Sequence, residues 1–144
     1  MSRALVHTST EDVLQAAKAR LQGIAVVELT RLTRTVELDV LVLDWERARR
    51  PESSSSHGEL TVPLHALVPL PFVAGYPTTE LQETALAAAE ALWVAAATAL
   101  APRGALWASA RRAGAVQLAL LRPFPTSPCA CASAPVAFRV PQTL

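Results

Sequence analysis

The stretch TVELDVLVLDW, residues 35–45, decides the fold of this 144-residue chain. Alternate positions within it are wholly apolar, and the positions between them are mixed: the first set is Val36, Leu38, Val40 and Val42, and the second is Glu37, Asp39, Leu41 and Leu43. Successive side chains of a strand point to opposite faces. This period of two therefore predicts a β-strand with one buried face and one mixed face.

Residues 79–100 carry the second decisive pattern, that of a long alanine-rich helix. Thr79 and Gln82 have the spacing of a capping box, and Pro102 and Gly104 follow the expected end of the helix. The predicted core stripe consists of Leu81, Ala85, Ala88, Leu92 and Ala96. We expect the alanine face, which starts at Leu81, to pack against the alternating strand at residues 36–45.

The rest of the chain completes a single α+β domain over residues 1–144. A first helix is predicted over residues 10–22, where acidic residues follow Thr8 and Ser9, and Gly23 follows the last turn. Further strands are predicted over residues 24–29, 105–110, 115–121 and 135–140. The segments between them are predicted as a flexible loop over 46–58, a turn over 111–114 and a loop over 122–134.

Residues 59–76 are apolar but are interrupted by Pro63, Pro69 and Pro71. Proline has no N–H to donate to a neighbouring strand. The sequence therefore predicts an edge strand here, followed by an irregular buried connection.

Composition and charge exclude several classes of function. Apolar residues make up 51% of the chain and the formal net charge is +1, so we expect a folded globule without a basic surface for nucleic acid. The most apolar stretch, residues 85–101, is mostly alanine, contains Glu90 and stops at Pro102. It indicates a core helix rather than a membrane span. The first residues carry no secretory signal pattern, so a cytoplasmic location is expected.

The residue types that often carry chemistry are few. Cys129 and Cys131 flank one alanine, a spacing that suits neither a disulfide framework nor a four-ligand zinc site, so they are predicted to be small buried thiols. His65, between Leu64 and Ala66, is predicted to be a structural histidine rather than a general base. No phosphate-binding glycine loop or metal motif is present in the sequence, and no metal or organic cofactor is expected.

Two charged residues are candidate site residues because of their positions. Glu83 lies in the first turns of the long helix, where its carboxylate could accept paired hydrogen bonds from a heterocycle edge or could simply help to start the helix. Arg122 ends the apolar stretch VQLALLR, where it could face a pocket or extend to solvent.

Four segments together resemble dihydroneopterin aldolase: VELDVLVLDWERA (36–48), ELTVPLHAL (59–67), LQETALAAAEAL (81–92) and LLRPFPTSPCACASAPVAFRV (120–140). The resemblance covers residues 35–140 and is one of pattern. It implies the tunnelling fold (T-fold), an antiparallel sheet backed by helices whose subunits join edge to edge into rings. It also implies a lyase of folate biosynthesis that cleaves dihydroneopterin by a retro-aldol reaction, without metal or cofactor.

The resemblance implies specific roles for three residues. Leu81 and Glu83 match the leucine–any–glutamate opening of the family's helix, in which the glutamate anchors the pterin ring. Arg122 falls where the family keeps its catalytic lysine. Because a guanidinium stays charged at ordinary pH, the implied activity is either retro-aldol cleavage or pterin binding without catalysis.

Two alternatives belong to other functional classes. The first is a non-catalytic oligomeric assembly or adaptor domain, which presents strand edges and Trp45, Trp93 and Trp107 to a partner or to a second copy of itself. The second is a small dimer similar to secretion chaperones, suggested by the order of helices and strands.

Overall fold

A computed structural model describes residues 10–29, 38–49, 58–70, 78–101, 110–121 and 129–140. In chain order the elements are α1 (Thr10–Leu21), β1 (Val26–Glu28), β2 (Val40–Leu43), β3 (Gly58–Pro69), α2 (Thr79–Leu100), β4 (Ala110–Arg112), β5 (Gln117–Leu121) and β6 (Cys129–Val140). A short 3-10 helix, Trp45–Arg47, follows β2. The described elements form the α+β arrangement that the sequence predicts.

The strands form one six-stranded sheet built from two antiparallel ribbons. β2 pairs with β3, and β6 pairs with both β4 and β5. The two 12-residue strands β3 and β6 join the ribbons along their whole length, from Gly58 opposite Val140 to Pro69 opposite Cys129. β1 adds a short parallel strand outside β2.

β4 and β5 occupy the same edge of the sheet, one after the other along β6. Arg112 pairs with Val136 and Gln117 pairs with Ser133, so four residues of the edge lie opposite two residues of β6. The two extra residues form a bulge. The turn predicted over residues 111–114 is therefore wrong, because Arg111 and Arg112 are in β4 and the segment after them continues along β6 in the same direction.

β3 is a central strand, so its prediction as an edge strand is wrong. Pro63 lies opposite Pro135 of β6, and neither proline can donate a hydrogen bond to the other. The Pro63 carbonyl accepts a bond from the Asp44 N–H at 3.0 Å, and the Pro135 carbonyl accepts one from the Ala113 N–H at 2.8 Å. The backbone groups of both prolines thus point away from the β3–β6 ladder. The ladder therefore loses no hydrogen bond through the N–H groups that proline lacks.

β6 also differs from the prediction, because it begins at Cys129 rather than at residue 135. The loop predicted over residues 122–134 contains both cysteines, yet Cys129 and Cys131 are paired strand residues opposite Pro69 and Leu67. Residues 122–128 lie outside the described residues.

Both helices pack on one face of the sheet and share one core with it. α2 crosses β3 and β6 and reaches β4 and β5, whereas α1 contacts α2, β1 and β2. The alanine face therefore packs mainly on β3 and β6, and not on the 36–45 strand as predicted, although both belong to the same core. Leu41 and Leu43 of β2 belong to this core. The prediction that Leu41 and Leu43 lie on a mixed face is therefore wrong. Val40 and Val42, on the face predicted to be buried, are buried in a second core on the opposite side of the sheet, whereas Leu38, predicted on that same face, is exposed.

The N-cap of α2 lies one residue before the predicted one. Thr78 is the N-cap, and its side-chain oxygen accepts a hydrogen bond from the Leu81 N–H at 3.2 Å. The buried face consists of Ala85, Ala89, Leu92, Trp93, Ala96 and Leu100. The predicted stripe is therefore correct at three positions, while Ala88 is exposed and Leu81 is half-buried.

By length and composition α2 is also apolar enough to cross a membrane, and it is the one such helix among the residues described. Its buried residues pack on β3 and β6. One face of α2 thus covers the sheet, while the rest of its surface is not buried in the domain.

Candidate functional site

The sheet face opposite the helices, called here the far face, carries a small second core. Val40, Val42, Leu67, Cys129 and Cys131 are buried there together. Both cysteines are free thiols, which confirms the prediction of buried thiols. Their alternation with alanines in β6 places them on the same face.

A chain of polar contacts runs beside this second core. His65 Nδ1 lies 2.7 Å from Ser133 Oγ, and Ser133 Oγ lies 3.1 Å from Cys131 Sγ. The cross-strand register positions these groups, because His65 is directly opposite Ser133. The hydrogen bond agrees with the structural histidine predicted at position 65.

Burial sets the protonation of these groups. The pKa of His65 is lowered, mainly by burial. The Asp44 carboxylate opposes this shift by raising the pKa, and the Arg47 guanidinium adds to it by lowering the pKa. Burial also raises the pKa of Cys131, partly offset by the hydrogen bond to Ser133, and burial with the neighbouring Cys131 raises the pKa of Cys129 to about 11. At neutral pH all three groups are therefore uncharged.

Asp44 is a buried acid at the end of β2, only 5% exposed. Its Oδ2 lies 3.6 Å from Arg47 Nε, and its Oδ1 has no hydrogen-bond partner. The Asp44 N–H bonds to Pro63, two residues before His65 in β3. The carboxylate thus lies near His65 without orienting the imidazole by a hydrogen bond.

This arrangement is not an activated nucleophile. A reactive cysteine needs a lowered pKa, and the pKa values of both thiols are raised. A serine nucleophile needs a histidine that is itself held by a third group, and Asp44 makes no such bond to His65. In the described part of the chain, no three side chains of metal-ligating type come together.

The sequence did not identify Ser133 or Asp44 as part of this cluster. Ser133 falls in the segment 122–134, which contains three prolines and which the sequence predicts to be a loop. The alternation Cys129, Cys131, Ser133 with alanines between them was the available signal, since it has the period of a strand.

The predicted site residues do not form a described cluster. Glu83 is exposed on α2, and Leu81 is half-buried in the first turn of the same helix. Arg122 lies outside the described residues. The three tryptophans have different outcomes. Trp45 is 45% exposed, and Trp107 lies outside the described residues. Trp93 is buried, and its Nε1–H donates a hydrogen bond to the Leu64 carbonyl at 2.9 Å. Trp93 is therefore a core residue and not a partner contact.

The outer side of β5, called here the β5 edge, carries exposed apolar side chains. Leu118 is 43% and Leu120 is 40% exposed. Their cross-strand partners Ala132 and Ala130 belong to the core under the helices. Both leucines therefore lie on the helix side of the sheet.

The same two leucines turn their backbone groups outward. The Pro135 carbonyl faces the β4–β5 edge, and in an antiparallel strand every second residue faces the same neighbour. Ser133, Cys131 and Cys129 therefore bond to Gln117, Ala119 and Leu121. The N–H and C=O groups of Leu118 and Leu120 point away from β6, and no described strand pairs with them.

Comparison with known proteins gives no relative: no family model matches the chain, and no curated protein matches it.

Proposed function

We propose that this protein is a non-catalytic assembly domain, which binds a second copy of itself through the β5 edge. The observation that carries this proposal is the coincidence of exposed leucine side chains and outward-facing backbone groups at Leu118 and Leu120. Monomeric proteins usually protect such an edge with charge, proline or a covering segment. β5 reads QLALL and contains neither charge nor proline.

The β5 edge is complementary to its own copy in an antiparallel arrangement. A two-fold axis at Ala119 places Leu118 of each copy opposite Leu120 of the other, so that the outward backbone groups exchange hydrogen bonds. Arg111 and Arg112 of β4 lie on the same edge. The antiparallel arrangement carries them to opposite ends of the interface, where they do not repel each other, whereas a parallel one would bring them together.

Sedimentation of the purified chain tests this proposal. We expect a dimer for the wild-type protein and at least a tenfold weaker dimer for Leu118→Lys, since a charge at the pairing position must be desolvated. Val94→Lys is the matched control, because Val94 is also an exposed apolar residue, on α2 and away from the β5 edge. A wild-type monomer at the highest concentration reached, or equal losses in both variants, would contradict the proposal.

A second candidate function is pterin binding or cleavage in the cytoplasm, for which Glu83 is the supporting residue. Its carboxylate is exposed in the second turn of α2, where a ligand could reach it. Titration with dihydroneopterin tests this function. Saturable binding that is lost in Glu83→Ala but kept in Glu90→Ala, another exposed acid of α2, would support it.

A further inference from the structure

The two thiols of the far face form a pair that the assembly function does not use. Cys129 and Cys131 are two residues apart on the same face of β6, and both are almost completely buried. Their apolar neighbours are Val40, Val42 and Leu67. They are the chain's only cysteines, and Met1 is its only other sulfur-containing residue.

This pair suits neither of the usual fates of two neighbouring cysteines. Alternate residues of a strand are spaced about 6.6 Å apart, near the upper limit of the Cα separation in disulfides. A structural zinc site takes four ligands, and no group of three candidate ligands occurs among the residues described. A two-coordinate ion needs only two sulfur atoms, and thiolates prefer soft ions such as Cu(I).

We propose that Cys129 and Cys131 together bind one soft monovalent metal ion, Cu(I) or Ag(I), between their two sulfur atoms. Both thiols lie on the same face of β6, in one buried cluster with Val40, Val42 and Leu67. In the proposed site these aliphatic side chains keep water and oxidants away from the ion. The site is therefore a buried bis-thiolate centre on the far face, whereas Leu118 and Leu120 of the neighbouring strand β5 lie on the helix side.

Binding changes no oxidation state. Two S–H bonds break, two bonds between sulfur and metal form, and two protons are released. Ser133 links Cys131 to His65, so one of these protons can pass from Cys131 through the Ser133 hydroxyl to His65 Nδ1. An imidazolium there balances the single negative charge of the metal–bis-thiolate unit. Ser133 and His65 are positioning residues and do not ligate the ion.

Anaerobic titration of the reduced full-length protein with Cu(I), in competition with bicinchoninate, tests this proposal. We expect one Cu(I) per chain, and X-ray absorption of the loaded wild-type protein should show two sulfur ligands. Cys129→Ser and Cys131→Ser should each weaken binding at least tenfold, with folding checked by circular dichroism. Leu118→Lys should bind Cu(I) as the wild type does, because assembly is not required.

The variant His65→Ala distinguishes a positioning residue from a ligand. It should weaken binding but leave the two-sulfur absorption spectrum unchanged. The proposal is overturned by a wild-type protein that does not compete with bicinchoninate, by nitrogen or oxygen ligands in the wild-type spectrum, or by undiminished binding after both cysteines are replaced. The wild-type measurements decide the matter even if a variant fails to fold.

Discussion

Pro63 and Pro135 lie directly opposite each other in β3 and β6, and their carbonyls bond in opposite directions. The oxygen of Pro63 bonds to Asp44, just after β2 ends, and the oxygen of Pro135 bonds to Ala113 in the interrupted edge. Each missing N–H would have faced a neighbouring segment rather than the other long strand. This explains how two prolines occupy the middle of the central ladder.

Moving the proline by one residue should therefore be costly. Val62 pairs with Val136 at a position where the two strands exchange hydrogen bonds. We expect Val62→Pro to destabilise the fold by at least about 2 kcal/mol, because it leaves a buried carbonyl unpaired. Pro63→Ala is the control and should change the free energy of unfolding, measured in urea, by less than about 1 kcal/mol. Equal effects would contradict the assigned pairing.

Trp93 should contribute to stability through its ring nitrogen as well as its size. It is 2% exposed, and its Nε1–H bonds to the Leu64 carbonyl. Trp93→Phe removes this bond and part of the ring, so we expect a loss of about 1–3 kcal/mol in urea unfolding followed by circular dichroism. Trp45→Phe, at an exposed position, should change stability by less than about 0.5 kcal/mol.

The cap of α2 can be assigned by two alanine substitutions. Thr78 accepts the hydrogen bond from Leu81, so Thr78→Ala should cost about 1 kcal/mol of stability. Thr79 lies inside the helix, and Thr79→Ala should be neutral or slightly stabilising because alanine is the better helix former. If thermal unfolding showed that Thr79→Ala is the more destabilising of the two, Thr79 would be the cap, as the sequence predicts.

The Cys129 thiol should make the fold less stable in alkali. Its pKa is about 11 in the folded chain against an ordinary value of 9.0. Below pH 9 the thiol is protonated in both states; between about 9 and 11 only the unfolded chain loses the proton, so stability falls as pH rises. Urea unfolding across this range measures the decline. Cys129→Ala should reduce the slope without abolishing it, since the pKa of Cys131 is raised too. An unchanged slope would argue against this origin.

Local sequence patterns predict most of the fold. The period of two at residues 40–43 and the alanine-rich pattern of α2 each give the correct element, because local propensity and tertiary packing agree there. The errors in the two long strands, β3 and β6, lie at the prolines. A strand tolerates Pro63 only if the backbone of that residue faces away from the neighbouring strand of the ladder. Which way it faces depends on the pairing of β3 with β6, a strand distant in the sequence.

The candidate sites were harder to predict for the same reason. His65 and Ser133 meet only because the register of β3 and β6 places them opposite each other. The exposure of Leu118 and Leu120 likewise depends on β5 lying at the edge of the sheet. An apolar pentapeptide reads equally well as a buried strand, so composition alone does not reveal an interface.

The bulge between β4 and β5 has a further consequence for how this chain can change over evolutionary time. The bulge inserts two residues, an even number, so side chains after it alternate between the two faces of the sheet in the same order as those before it. Gly114 packs closely within it, since a Cβ at this position would lie 3.1 Å from the Pro135 ring. Gain or loss of one residue in this segment would rotate β5 by half a turn and send both edge leucines to the opposite side. Length variants among descendants of this chain should therefore come in steps of two.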